Sequence, residues 1–204
     1  MLQREINPCL TYAMIKKYVI QWLGAAACFL AAVLPPSSTC AQQAIDNPGN
    51  VLVNGAFENG LKAWNLHSNG GGPGVMMIDE VERHSNRPTL RVENAQGCDT
   101  IVGQKVAVKP NTHYRMTAFI KTKDVATVKR GGKEGASMTV SGGFIKTPSV
   151  TGTKVWTRVT HDFNTGGETE IEIGARLGHY SNAVTGTAWY ADMSLVEVGK
   201  AHGK

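Results

Sequence analysis

The chain has 204 residues, with 21 Lys or Arg against 16 Asp or Glu and a formal net charge of +5. So mild a basic excess does not describe a nucleic-acid-binding protein. The six histidines are scattered and form no metal-ligand spacing.

Lys16 and Lys17 precede an apolar run over residues 18–34, followed by Pro35-Pro36 and a small-residue stretch ending Thr39-Cys40-Ala41. This order of charged region, hydrophobic region and cleavage site predicts a signal peptide over residues 1–41, cut before Gln42. Met14, just ahead of the two lysines, fits the initiator, with residues 1–13 an upstream misreading of the start. The run of about 17 apolar residues lies at the lower edge for a spanning helix, so the mature form is expected to lack a membrane span. Ser37-Ser38-Thr39 departs from the Leu-small-small approach to a lipidated cysteine, and soluble export is preferred to anchoring through Cys40. The expected location is secreted, periplasmic or at the cell envelope.

Residues 42–204 then form a single domain, large enough to fold without a disulfide or a metal. The leader holds three of the basic residues and one acid, leaving a net charge of +3. It also holds Cys9, Cys28 and Cys40, so Cys98 has no partner for an intramolecular disulfide.

The exported part reads as strands and turns. Val51-Leu-Val53 is a short strand, followed by a turn on Asn54-Gly55 and a Phe57/Trp64 pair that needs a core. Asn69-Gly-Gly-Gly-Pro-Gly74 is a connector, without the Gly-Lys-Ser/Thr ending of a phosphate-binding loop. Strands are predicted over 75–78, 89–93, 101–108 and 114–121. A Gly-rich excursion follows through 129–135, then strands over 137–145, 155–163, 170–177 and 187–198. Turn-rich spacing without intervening helices predicts an all-β fold, an antiparallel β-sandwich or jelly roll. The first and last strands are expected to meet in one sheet.

Asn54-Gly-Ala-Phe-Glu-Asn-Gly-Leu-Lys-Ala-Trp64 resembles the opening signature of the carbohydrate-binding modules of families 4, 9 and 22. Arg83-His-Ser-Asn-Arg-Pro-Thr-Leu-Arg-Val92 resembles their His-Ser-Gly … Ser-Leu-Lys-Val segment. Val108-Lys-Pro-Asn-Thr-His-Tyr-Arg-Met-Thr-Ala-Phe-Ile-Lys121 resembles Pro-Gly-Lys-Thr-Tyr … Phe-Trp-Val-Lys, and two later strands follow in order. The resemblance covers nearly all of residues 42–204 and implies a galactose-binding-like jelly roll that binds a polysaccharide or envelope glycan. It also implies a structural calcium between the opening segment and the last strand. Carried over, Glu58, Asp192 and Glu82 would give carboxylates and Ala56 a carbonyl. Ala191 departs from the pattern, since many relatives have a second Asp there.

On 114–121 the alternation assigns Tyr114, Met116, Ala118 and Ile120 to the core, leaving Arg115, Thr117, Phe119 and Lys121 outward. On 170–180 the core face is Ile171, Ile173, Ala175 and Leu177, and the other face shows Glu172 and Arg176, with His179 and Tyr180 just beyond. If these strands share a sheet, their outward residues make an aromatic and basic surface suited to a sugar. Rings offer platforms for C–H groups, and Arg or Lys donate to hydroxyls or carboxylates. Clustering of Arg115, Lys121 and Arg176 would favour an acidic glycan. Trp64 and Trp156 are assigned to the core. Of the opposed pair Trp189 and Tyr190, Trp189 is the better exposed candidate for the ligand face.

No Gly-X-Ser-X-Gly elbow or His-Glu-X-X-His segment occurs, and Glu168, Glu170 and Glu172 read as a solvated charged edge. A non-catalytic module is therefore the expectation. A small secreted hydrolase or lyase, or an envelope domain that holds another secreted protein, are the alternatives.

Overall fold

The computed structural model describes residues 49–180 and 182–200. The predicted signal peptide, Met14, Cys40 and the cleavage position lie outside the described residues. Among the described residues, no helix is long and apolar enough to cross a membrane.

The described residues fold into eight strands: β1 (Asn65–Gly70), β2 (Val75–His84), β3 (Arg87–Ala107), β4 (Thr112–Thr127), β5 (Ala136–Val140), β6 (Gly152–Asn164), β7 (Glu170–Leu177) and β8 (Val184–Lys200). All pairings are antiparallel. The all-β sandwich expected from the turn spacing is what forms.

β3 organises the sandwich. Its first half, through Asn94, lies between β2 and β8, and its second half pairs β1 on one side and β7 on the other. One layer is thus β2-β3-β8-β4-β6, and the other is β1-β3-β7-β5. The strand changes layer where its pairing with β8 shifts register between Asn94 and Cys98, with Gly97 at φ 72°. The buried Asn94 staples this bulge. Its amide donates to Cys98 O at 2.9 Å and Leu177 O at 3.0 Å, while its carbonyl accepts from Thr100 Oγ1 at 2.7 Å. A buried polar side chain without such partners would cost about 1–3 kcal/mol.

The core fills from alternating positions, as the strand period requires. In one layer Leu90, Tyr190 and Ile120 form a cross-strand row, and in the other Val102, Ala175 and Met138 do. All six are fully buried. Tyr114, Met116, Ala118 and Ile120, and Ile171, Ile173, Ala175 and Leu177, lie inward as the alternation assigned them.

Four boundaries differ from the expectation. Residues 51–53 make only an edge contact with β8, through Val51 N to Leu195 O at 2.8 Å and an isolated bridge between Asn50 and Val196. The opening segment at residues 50–51 and the last strand do meet. β1 was hidden because Asn65-Leu-His-Ser-Asn-Gly carries a single large apolar residue. The strands predicted at 89–93 and 101–108 are one strand, which runs on through the bulge between Asn94 and Cys98. The strand predicted over 137–145 stops at Val140, where Gly142 and Gly143 turn the chain back. Residues 145–150 then return along β5, with Thr147 N donating to Met138 O at 2.9 Å.

Candidate functional site

The two strands expected to share a ligand face do not adjoin, since β8 and β3 lie between β4 and β7. This corrects the expected single surface. Arg115, Thr117, Phe119, Lys121 and Trp189 face outward from the first layer, and Glu172, Arg176 and Tyr180 belong to the outer face of the second.

On the first layer the aromatics are covered. β2 carries extra residues between Asp79 and His84, and this excursion folds back over β8 and β4. Asp79 anchors it by accepting from Val81 N at 2.9 Å, Glu82 N at 2.8 Å and Trp189 Nε1 at 2.8 Å. Burial would raise the Asp79 carboxyl, but these donors and the Arg91 charge outweigh it and hold the group below its ordinary range. Trp189 is therefore buried although it points outward, with Arg91 and Lys121 near its ring. Lys121 Nζ meets Glu82 Oε2 at 2.6 Å, and Arg115 grips Asp162 through two bonds of 2.7 Å. His84 stacks on Phe119 at 4.3 Å and meets Trp156 at 4.9 Å, so Trp156 packs on the outer face and not in the core. Trp64 is buried against Phe57, as assigned.

On the second layer the outer face is a trough. Neighbouring rows across β1, β3, β7 and β5 are His67–Ile101–Arg176–Ser137 and Asn65–Gly103–Gly174–Thr139. The Glu172 side chain lies against Gly103, and the glycine pair leaves the two central positions of the second row without side chains. Beside it lies an open pocket of about 500 Å³, whose lining includes Asn69, Asp99, Ile101, Ser141, Arg176 and Tyr180. Arg176 is 2% exposed and is held by Asp99, which corrects its assignment as a free cation for an acidic sugar. Tyr180 lies over its guanidinium at 4.5 Å and donates to Gly143 O at 2.8 Å. Glu172 sits at the other side of the glycine row, 3.8 Å from His67.

Sequence reasoning missed Phe144. Its ring is 85% exposed and stands 5.5 Å from that of Tyr180, at the tip of the Gly142-Gly143 turn. An exposed aromatic beside two glycines was the available signal. Beneath this rim, Ser137 Oγ, Ser141 Oγ and His179 Nε2 are buried without a hydrogen-bond partner in the protein. Burial, then the Arg176 charge, holds the His179 imidazole below its ordinary range, against the pull of Glu134 and Asp99.

The expected calcium ligands are arranged differently. Glu58 Oε1 lies 3.2 Å from Arg87 Nε, and Asp192 Oδ1 lies 3.8 Å from Arg87 Nη1. Glu82 is engaged by Lys121, and no bond of the Ala56 carbonyl joins it to this group. Among the described residues no three His, Cys, Asp or Glu side chains converge on a metal position. Two carboxylates around a guanidinium do not fit an ion that takes six to eight oxygens.

No family model and no curated protein matches the sequence. Solved structures match the fold. A family 61 carbohydrate-binding module in complex with β-1,4-galactotriose aligns at TM-score 0.50 and 18% identity, over 72% of this chain and 98% of that one. The fold is the jelly roll of carbohydrate-binding modules. The enzymatically active domain of tailspike protein 4 from bacteriophage CBA120 aligns at TM-score 0.54 and 11% identity, over 74% of this chain. An arabinose-bound family 51 α-L-arabinofuranosidase aligns at TM-score 0.52 and 13% identity, over 73%. The chain spans only 22% of the tailspike chain and 26% of the arabinofuranosidase chain.

Proposed function

We propose that this chain is an exported, non-catalytic glycan-binding module whose docking surface is the second-layer trough. The observation that carries this reading is the pairing of the exposed Phe144 with Tyr180, which lines the pocket together with Asn69, Ile101 and the Asp99–Arg176 pair. Aromatic faces take up the C–H surface of a pyranose, while Asn69 offers its amide to the hydroxyls. Arg115, Lys121 and Arg176 each already hold a carboxylate, which supports a neutral, hydroxyl-rich glycan over an acidic one.

The proposed location is secreted, periplasmic or at the envelope, on the strength of the signal peptide predicted over residues 1–41. Affinity gels of the exported chain against neutral and uronic-acid polysaccharides test the reading. Retardation by a neutral polymer, lost in Phe144→Ala/Tyr180→Ala, is the expected result. Equal retardation of the double variant, or new reducing or unsaturated ends after incubation, would overturn it.

A further inference from the structure

Glu58 and Asp192 stand far apart in sequence and share one guanidinium. Three segments converge there: the opening turn carrying Glu58, the β2–β3 hairpin carrying His84 and Arg87, and β8 carrying Asp192. The hairpin is a two-residue turn with Ser85 at φ 50° and Asn86 at φ 62°, which places His84 and Arg87 directly opposite one another. On β8, register shifts by one residue between the Thr117–Ser194 and Phe119–Ala191 pairs, and Asp192 at this bulge takes φ 46°. Asp192 Oδ2 meets His84 Nδ1 at 2.6 Å, and Oδ1 faces Arg87 Nη1 at the ion-pair distance of 3.8 Å.

The opening turn is pinned beside them. Met193 N donates to Gly55 O at 3.0 Å, and a Cβ on Gly55 would lie 2.1 Å from Met193 O. A cation at this junction is needed because two carboxylates drawn together repel unless something positive lies between them. Arg87 is that cation, with only 15% of its side chain exposed. Ala191, beside Asp192, is buried and apolar, so the position adds no carboxylate.

We propose that Arg87 does the work of a metal ion here, clasping the opening turn to the closing strand, and that the domain is indifferent to calcium. The inference stands apart from the glycan reading, because it concerns the junction and not the trough.

Thermal unfolding of the full chain, with calcium chloride or with a chelator, tests it together with Arg87 variants. The expected midpoints agree within about 1 °C between the two conditions, and a calcium titration gives no binding heat. Arg87→Ala is expected to lower the midpoint by about 2–4 °C, with Arg87→Lys recovering part of the loss. Should Arg87→Ala fail to fold, Glu58→Gln and Arg87→Gln, singly and combined, replace it. Their shifts should then add to clearly more than the shift of the combination. A midpoint that rises with calcium, an Arg87→Ala midpoint equal to that of the parent, or strictly additive shifts would each overturn the proposal.

Discussion

Arg176 lies diagonally across the β3–β7 ladder from Asp99 and donates to both of its carboxylate oxygens, from Nε at 2.7 Å and Nη2 at 2.5 Å. The side chains are each 2% exposed. Tyr190 adds a bond from its hydroxyl to Arg176 O at 2.7 Å, so the core also holds this residue by its backbone. The trough therefore has a rigid, electrically neutral floor.

Removing one partner leaves the other charged and buried. Asp99→Ala and Arg176→Ala are each expected to cost about 3–5 kcal/mol. Asp99→Leu/Arg176→Met should be less damaging than either single loss. Urea denaturation of the four proteins checks this, and equal, additive losses would contradict it.

Binding should be modest, because an open polar surface gains little after desolvation and side-chain ordering. Titration calorimetry with a neutral oligosaccharide is expected to give a Kd on the order of 10 µM to 1 mM. Phe144→Ala should weaken it about tenfold while leaving the unfolding midpoint in place, since the ring is exposed. A parallel loss of stability would show that the ring packs instead of binding.

His179 gives a pH dependence with a definite sign. Its imidazole is 4% exposed and prefers the neutral form in the fold, facing Arg176, Glu134, Lys146 and Asp99. The unfolded chain, titrating near pH 6.5, binds the proton more readily. The contribution is therefore complete above about pH 6.5 and is lost as the pH falls below it. The unfolding midpoint should drop as the pH falls below about 6.5, and His179→Asn should flatten the curve there.

Gly55→Ala tests the junction of the chain ends. The new methyl would collide with the Met193 carbonyl, so the turn or β8 must move. A loss of about 3 kcal/mol is expected, as for an overpacked site. Trp64 fluorescence should report it, because the indole packs on Phe57 and donates to Asn54 O at 3.1 Å within the same turn.

Much of the fold was legible because strand alternation is a local signal. Tyr114 to Ile120 and Ile171 to Leu177 declared their inward faces residue by residue. The partnering of strands was not legible, because it depends on β3 crossing between layers at Gly97, which no period encodes. For that reason Arg115 and Lys121 were grouped with Arg176, from which two intervening strands separate them. Trp189 was legible as outward-facing, but its cover was not. The cover is a bulged excursion whose anchor, Asp79, reads in sequence as an ordinary surface acid. Phe144 lost its signal to the extrapolated strand, which made a turn tip look like an edge residue.

The passage of β3 through both layers has a mechanical consequence. A force drawing the two faces apart meets a continuous backbone shared between them, so neither can peel away while the other keeps its ladder. Rupture should come as one event, with the amides on either side of Asn94 surrendering their protection together.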